Sequence, residues 1–333
     1  MTNWPATEFP MLRFTLNRLI QSVIVVFAVF TITFFMIRLA PGDPFAGEKA
    51  MPDDVRKVME ARYGMQSASE YKDLQGFKRF KVRASGLTNE YFYTLRRFAS
   101  GDFMPSFKYQ GLWNAKIIRD AYPVSLTIGL AALAVALALG LPAGIIAAVR
   151  RNSWVDYSAM SLALVGICLP TFVMGPVFAL IFGLKLRWLN VAGWFERTDW
   201  ILPAVTMGLI YAAYIARLTR GGMLEVLNQD YIRTARAKGV PPARIVIVHA
   251  LRGGLVPVVA FLGPALAGIT TGSFIIEKIF NLPGLGQHFI NSIFDRDYSL
   301  ILATTVLFAT LLVTVNFFTD LLIAWLNPRV RLT

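Results

Sequence analysis

Charge is scarce in this chain of 333 residues: 16% are Asp, Glu, Lys or Arg and 56% are hydrophobic, where soluble domains carry about a quarter charged. Cysteine occurs once. That excludes an internal disulfide and any multi-cysteine zinc site, and Cys168, just before Leu169-Pro170, reads as a small packed hydrophobe. The two histidines, His249 and His288, lie far apart and form no metal-ligand pair. No H-E-x-x-H, G-x-S-x-G elbow or intramembrane aspartate pair occurs. A G-x-x-x-x-G-K-[ST] phosphate loop is missing too, with not one Gly-Lys dipeptide in the sequence. These absences predict no catalytic residue, no metal and no cofactor; if ATP drives the protein, a partner binds it.

Long uncharged runs fill the remaining space. About 20 apolar residues cross a 30 Å hydrocarbon core at 1.5 Å per residue, and six segments qualify: 15–37, 122–149, 157–184, 200–216, 254–276 and 300–325. The first is too long for a signal-peptide core and lacks a cleavage site, so it reads as an anchor. Their deep portions carry no charge; Arg38, Asp156, Arg217 and Asp320 fall near span ends, within reach of interfacial water. A proton-coupled carrier would need a buried carboxylate or histidine relay, so a secondary transporter or channel is the weaker reading, and a membrane enzyme is weaker still. Trp154, Trp188, Trp200 and Trp325 sit where interfacial anchors belong.

The net charge of +13 flanks the spans instead of forming one patch, which favours membrane topology over nucleic acid. Arg13, Arg18, Arg150, Arg151, Arg217, Arg220, Arg233, Arg236, Lys238, Arg244, Arg252, Arg329 and Arg331 share one side. Only Lys185, Arg187, Arg197, Lys278 and Arg296 occupy short loops on the other. The imbalance predicts both termini in the cytoplasm. The resulting organisation is a cytoplasmic N-terminus and first span (1–38), a small extracytoplasmic domain (39–121), a five-helix core (122–325) with a cytoplasmic loop at 221–252, and a cytoplasmic tail (326–333). Inside the outer domain, Met51-Pro52-Asp53-Asp54 opens a short helix closed by Gly64, while the polar stretch 66–88 reads as a loop. Gly140, Pro142, Gly166, Pro170, Gly175, Pro176, Pro203, Pro257, Gly263, Pro264, Gly268 and Gly272 enrich the spans. They suit close helix packing, or helices that bend during transport.

Two loop segments stand out. In the first, Asn228 can cap a helix carrying Arg233, Thr234, Ala235, Arg236, Ala237 and Lys238, with Gly239 as its left-handed stop and Pro241 opening the next helix. Ile232 and Ala235 share one face, while Arg233 and Arg236 point elsewhere. Physics alone leaves two readings, a basic loop lying on anionic lipid or a docking helix. In the second, Pro283, Gly284, Leu285 and Gly286 compose a turn between the last two spans, either a plain turn or an outer gate.

The order of several motifs carries a family resemblance. R-T-A-R-A-K-G at Arg233–Gly239 resembles the coupling-helix signature of ABC importer permeases in its dipeptide/oligopeptide/nickel form, although Arg-Thr-Ala replaces the general Glu-Ala-Ala and His249-Ala-Leu-Arg252 ends the segment. L-A-P-G-D-P-F at Leu39–Phe45, G-D-F-M-P-S-F at Gly101–Phe107, R-N-S-W-x-D at Arg151–Asp156, E-K-I-F-N-L-P-G-L-G-Q at Glu277–Gln287 and D-R-D-Y at Asp295–Tyr298 are similar to that family's segments. The chain thus resembles the B-type, oligopeptide-permease-B-like subunit. The resemblance implies an all-α, polytopic type I importer permease with six transmembrane helices in a bacterial inner membrane. It also implies partners: a homologous C-type permease, two ATP-binding cassette ATPases docking on Arg233–Gly239, and an extracytoplasmic peptide-binding protein delivering di- or oligopeptides. Nickel, glutathione or an oligosaccharide is the alternative cargo within that class.

Overall fold

The apolar runs become helices because a chain in hydrocarbon must satisfy its backbone groups internally. The computed structural model describes residues 10–40, 53–65, 76–109, 111–270 and 274–326. In chain order the helices are α1 (Pro10–Leu39), α2 (Asp53–Arg62), α3 (Gly76–Ala99), α4 (Asn114–Val149), α5 (Trp154–Cys168), α6 (Thr171–Lys185) and α7 (Ile201–Leu227). They continue with α8 (Asp230–Ala237), α9 (Pro242–Gly254), α10 (Val256–Thr270), α11 (Phe274–Ile279), α12 (Leu285–Phe294) and α13 (Tyr298–Leu326). No strand occurs among the described residues; Pro105 and Trp113 form one isolated bridge.

Four helices are long and apolar enough to cross a membrane unaided: Thr15–Leu39, Asn114–Val149, Ile201–Leu227 and Tyr298–Leu321. The pairs α5–α6 and α9–α10 make six if each is one crossing, but they bend by 101° and 50°. The sharper bend has a local cause. Pro170 disfavours helical geometry at the residue before it, and Leu169 is extended at φ −80°, ψ 117°. Cys168, the last residue of α5, is exposed; the expectation that it is packed fails because the helix stops there and the described residues leave it uncovered.

The chain divides into two compact units. The first comprises Met1–Val26, Tyr122–Gln287 and Phe308–Thr333. Its largest core joins Val124, Ile128 and Ala132 of α4 to Leu202, Ala204 and Met207 of α7, with Ile269, Ile276 and Phe280. Small residues let these helices approach closely: a Cβ on Gly208 would lie 2.7 Å from the Ala132 carbonyl oxygen. Arg18 and Asp320 pair at 3.3 Å in the same unit, beside a crevice of about 220 Å³ that Gln21, Ser22 and Asn316 also line.

The second unit comprises Phe27–Ala121 and His288–Leu307. Phe30, Phe34 and Ile37 of α1 pack against Tyr91 of α3 and against Tyr298 and Leu302 of α13. Arg38, expected to reach interfacial water, instead pairs with the buried Glu90 and lies 3.8 Å above the Phe34 ring. Asp297 is fully buried and accepts hydrogen bonds from the Ser106 hydroxyl, Phe107 N (3.1 Å), the Ser299 hydroxyl (3.0 Å) and Leu300 N (3.1 Å). It therefore ties the Gly101–Phe107 and Asp295–Tyr298 motifs together.

The short helix opening near Asp53 is present, and Gly64 ends it at φ +68°; Met51 and Pro52 lie outside the described residues. The loop expected over 66–88 needs correction: residues 76–88 belong to α3, while 66–75 lie outside the described part. Tyr91, Leu95 and Phe98 bury one face of α3. Once such a packed segment nucleates a helix, each further residue adds a hydrogen bond at little extra cost. The polar sequence before it therefore joins the helix despite its weak periodicity. Residues 41–45, Gly272 and the tail from 327 onward are also outside the described part.

Candidate functional site: a basic helix and an anchored turn

α8 is short, and one of its faces belongs to the chain itself. Ile232 is fully buried among Ala148, Met223, Ile245 and Ala250, and Ala235 packs against the same cluster. Arg233, Thr234, Arg236, Ala237 and Lys238 are exposed; Arg233 makes a 3.5 Å pair with Asp230 one turn earlier. The stop is a complete Schellman motif. Gly239 N donates to the Arg236 carbonyl (3.0 Å) and Val240 N to the Ala235 carbonyl (3.2 Å), with Gly239 at φ +75°. Two details correct the expectation. Asn228 ends α7 and Gln229 precedes α8 without a side-chain cap. Pro242, not Pro241, takes the first position of α9, because Pro241 is still extended at φ −57°, ψ 141°.

The chain behind α8 is stiffened by an ion pair absent from the sequence reading. Asp156 accepts Arg220 Nε (2.5 Å) and Nη2 (2.7 Å), together with Asn152 N (2.9 Å). Arg151 Nη1 reaches Asn228 Oδ1 at 3.3 Å. The turn before α5 is thus held to the end of α7, which leads into α8. The available signal was an Asp and an Arg both near span ends, but nothing local paired them.

The Pro283–Gly286 segment is seated on buried polar groups. Glu277 is 1% exposed. Its carboxylate accepts the Ser125 hydroxyl (2.7 Å) and Gln287 N (3.1 Å), while Leu285 N donates to Ser125 Oγ (2.9 Å). Burial pushes the Glu277 carboxyl above the usual range, although these donors act the other way. Leu282 and Leu285 are fully buried and Pro283 is exposed. The loop before α7 is anchored similarly: Asp199 accepts Phe195 N (2.5 Å), Glu196 N (2.7 Å) and Asn190 Nδ2 (2.8 Å).

α8 and the turn are separate features of the first unit, and among the described residues no group of His, Cys, Asp and Glu could hold a metal ion. The geometry offers a rigid basic protrusion and a clasped turn, both without reactive chemistry. Residues 140–332, which include both, match the family described as "Binding-protein-dependent transport system inner membrane component". The chain belongs to this family. It is 42% identical to the oligopeptide transport system permease protein OppB of Escherichia coli K12, over 96% of this chain and all of that protein. It is 37% identical to the dipeptide transport system permease protein DppB of Bacillus subtilis, over 97% and 99%. The MetNI methionine ABC transporter, solved in inward-facing conformations, has a similar fold: TM-score 0.55 at 17% identity, covering 63% of this chain and 96% of that one. This inner membrane component therefore has the fold of an ABC importer permease.

Proposed function

We propose that this chain is the B-type permease subunit of a peptide importer, forming half of a translocation path across the bacterial inner membrane. In this reading a C-type permease supplies the other half, an extracytoplasmic binding protein delivers di- or oligopeptides, and two ATPase subunits dock on Arg233–Gly239. The observation that carries it is α8: its apolar face is consumed by the chain's own core, so its basic face is left for a partner. A Schellman stop and the Asp156–Arg220 pair behind it give the rigidity that transmitting a push requires. The near full-length likeness to OppB and DppB favours peptide over nickel, glutathione or oligosaccharide as cargo. Hydrolysis would belong to the ATPases, consistent with the missing phosphate loop. Both termini are assigned to the cytoplasm, and Pro283–Gly286 to an outer gate.

The structure changes which substitution tests docking. Ala235 contacts its own chain, so Ala235→Trp would disturb the fold regardless of any partner. Ala237 is exposed, and Ala237→Trp should abolish ATPase co-purification, or uncouple hydrolysis from peptide uptake in liposomes, with the permease itself still folded. Arg233→Lys with Arg236→Lys should be mild. Normal coupled uptake by Ala237→Trp would return α8 to the status of a lipid-facing loop.

A further inference from the structure

We infer that Glu277 and Ser125 are positioning residues for the Pro283–Gly286 turn, a clasp that holds it in place through its own backbone. The inference rests on the gate reading of that turn for its role in transport, but the clasp itself is a matter of geometry.

Three elements converge on two side chains. Ser125 lies on α4, Glu277 on α11, and the amides of Leu285 and Gln287 open α12. The Ser125 hydroxyl spends its one proton on Glu277 (2.7 Å) and accepts Leu285 N–H (2.9 Å). The other carboxylate oxygen takes Gln287 N–H (3.1 Å). Every contact to the turn is to main chain, so the pair recognises the path of the backbone, whatever side chains it carries.

The glycines report the same thing. A Cβ on Gly284 would collide with the Glu277 carboxylate, 2.5 Å from Cδ, and lie 2.8 Å from Ser125 Oγ. One on Gly286 would lie 3.0 Å from Glu277 Oε2 and 2.9 Å from Phe274 Cα. Glycine is needed at these positions because the turn presses on the clasp. The P-G-L-G composition, which suggests looseness, marks a tight seat. Leu282 and Leu285 are both fully buried, so apolar packing seats the same turn that the clasp holds.

Burying a carboxylate is costly unless it is fully hydrogen-bonded, and an ordinary turn needs none. A clasp gains from it: Ser125 orients its oxygen toward Leu285 N–H only while its proton is held by Glu277, so the two side chains hold the two amides as a linked set.

Hydrogen–deuterium exchange on the assembled transporter, following peptides that contain the Leu285 and Gln287 amides, tests this directly. Glu277→Gln keeps the size and removes the charge. It should speed exchange at these amides about tenfold, the worth of one charge-assisted hydrogen bond, with α8 unchanged. Ser125→Ala should act on the same amides, the double variant should add little, and Ser125→Thr, which keeps the hydroxyl, should restore protection. The Ser125 variants answer the question even if Glu277→Gln fails to assemble. Unchanged exchange in both Glu277→Gln and Ser125→Ala overturns the clasp. Faster exchange with normal peptide uptake upholds the clasp and overturns the gate reading instead.

Discussion

Removing either partner of the Asp156–Arg220 pair should destabilise the protein, and by unequal amounts. The Asp156 side chain is 2% exposed and the Arg220 side chain 29%. With Arg220→Met, a buried carboxylate keeps Asn152 N as a donor but loses both guanidinium contacts. Breaking a buried pair this way costs about 3–5 kcal/mol, and the partial exposure of the site brings the expectation to about 3 kcal/mol. With Asp156→Asn, the arginine left behind can turn toward water and the amide oxygen can still accept a hydrogen bond. That loss should be about 1–2 kcal/mol. Replacing both, as Asp156→Leu with Arg220→Met, removes the stranded charge and should be less damaging than Arg220→Met alone. Reversible denaturation in mixed micelles measures the three losses side by side. Equal costs for the two single variants, or a double variant worse than either, would show that burial of the aspartate is not what makes the pair matter.

Three other outcomes follow from the geometry. Gly284→Ala drives a Cβ into the Glu277 carboxylate and should cost about 1–3 kcal/mol; Gly239→Ala meets nothing within 4 Å and should cost only the left-handed penalty of about 1–2 kcal/mol, with Gly239→Asn milder still, as thermal unfolding would register. If both termini are cytoplasmic, Ser85→Cys should react with an impermeant thiol reagent in intact cells and Ala243→Cys should not; the reverse pattern defeats the orientation, and with it the docking of ATPases on α8. Burial holds the His288 imidazole below its ordinary pKa, so the neutral form is favoured on folding. That contribution is fully present above about pH 6.5 and lost as pH falls through the lower folded value. Melting temperature should drop between about pH 7.5 and about pH 5, and less so in His288→Gln.

Much of this protein is legible one segment at a time. Spans follow from transfer free energy summed along the chain, which is why 122–149 and 300–325 sit inside observed helices and 200–216 begins only one residue before one. The stop at Gly239 is equally local, since the left-handed conformation is a property of one residue and its neighbours. The missing phosphate loop and catalytic motifs are also plain in the letters. Local reading fails where a residue's role depends on what lies opposite it. Asp156 finds Arg220 from 64 positions away, and Glu277 finds Ser125 from 152; no pattern along the chain encodes those meetings. The helix over 76–88 shows the same dependence, because its polar sequence is recruited by the packing of Tyr91, Leu95 and Phe98. Ala235 and Ala237 are the same residue type two positions apart, yet only the fold decides that one faces its own core and the other faces outward. The glycines of Pro283–Gly286 show it again, for composition alone reads them as freedom, while the carboxylate pressed against them makes them a constraint. Sequence thus determined what each segment can be, because backbone sterics and hydration act locally. Tertiary structure decided which polar groups pair, because a buried charge is satisfied only by a partner that the fold brings within hydrogen-bond reach.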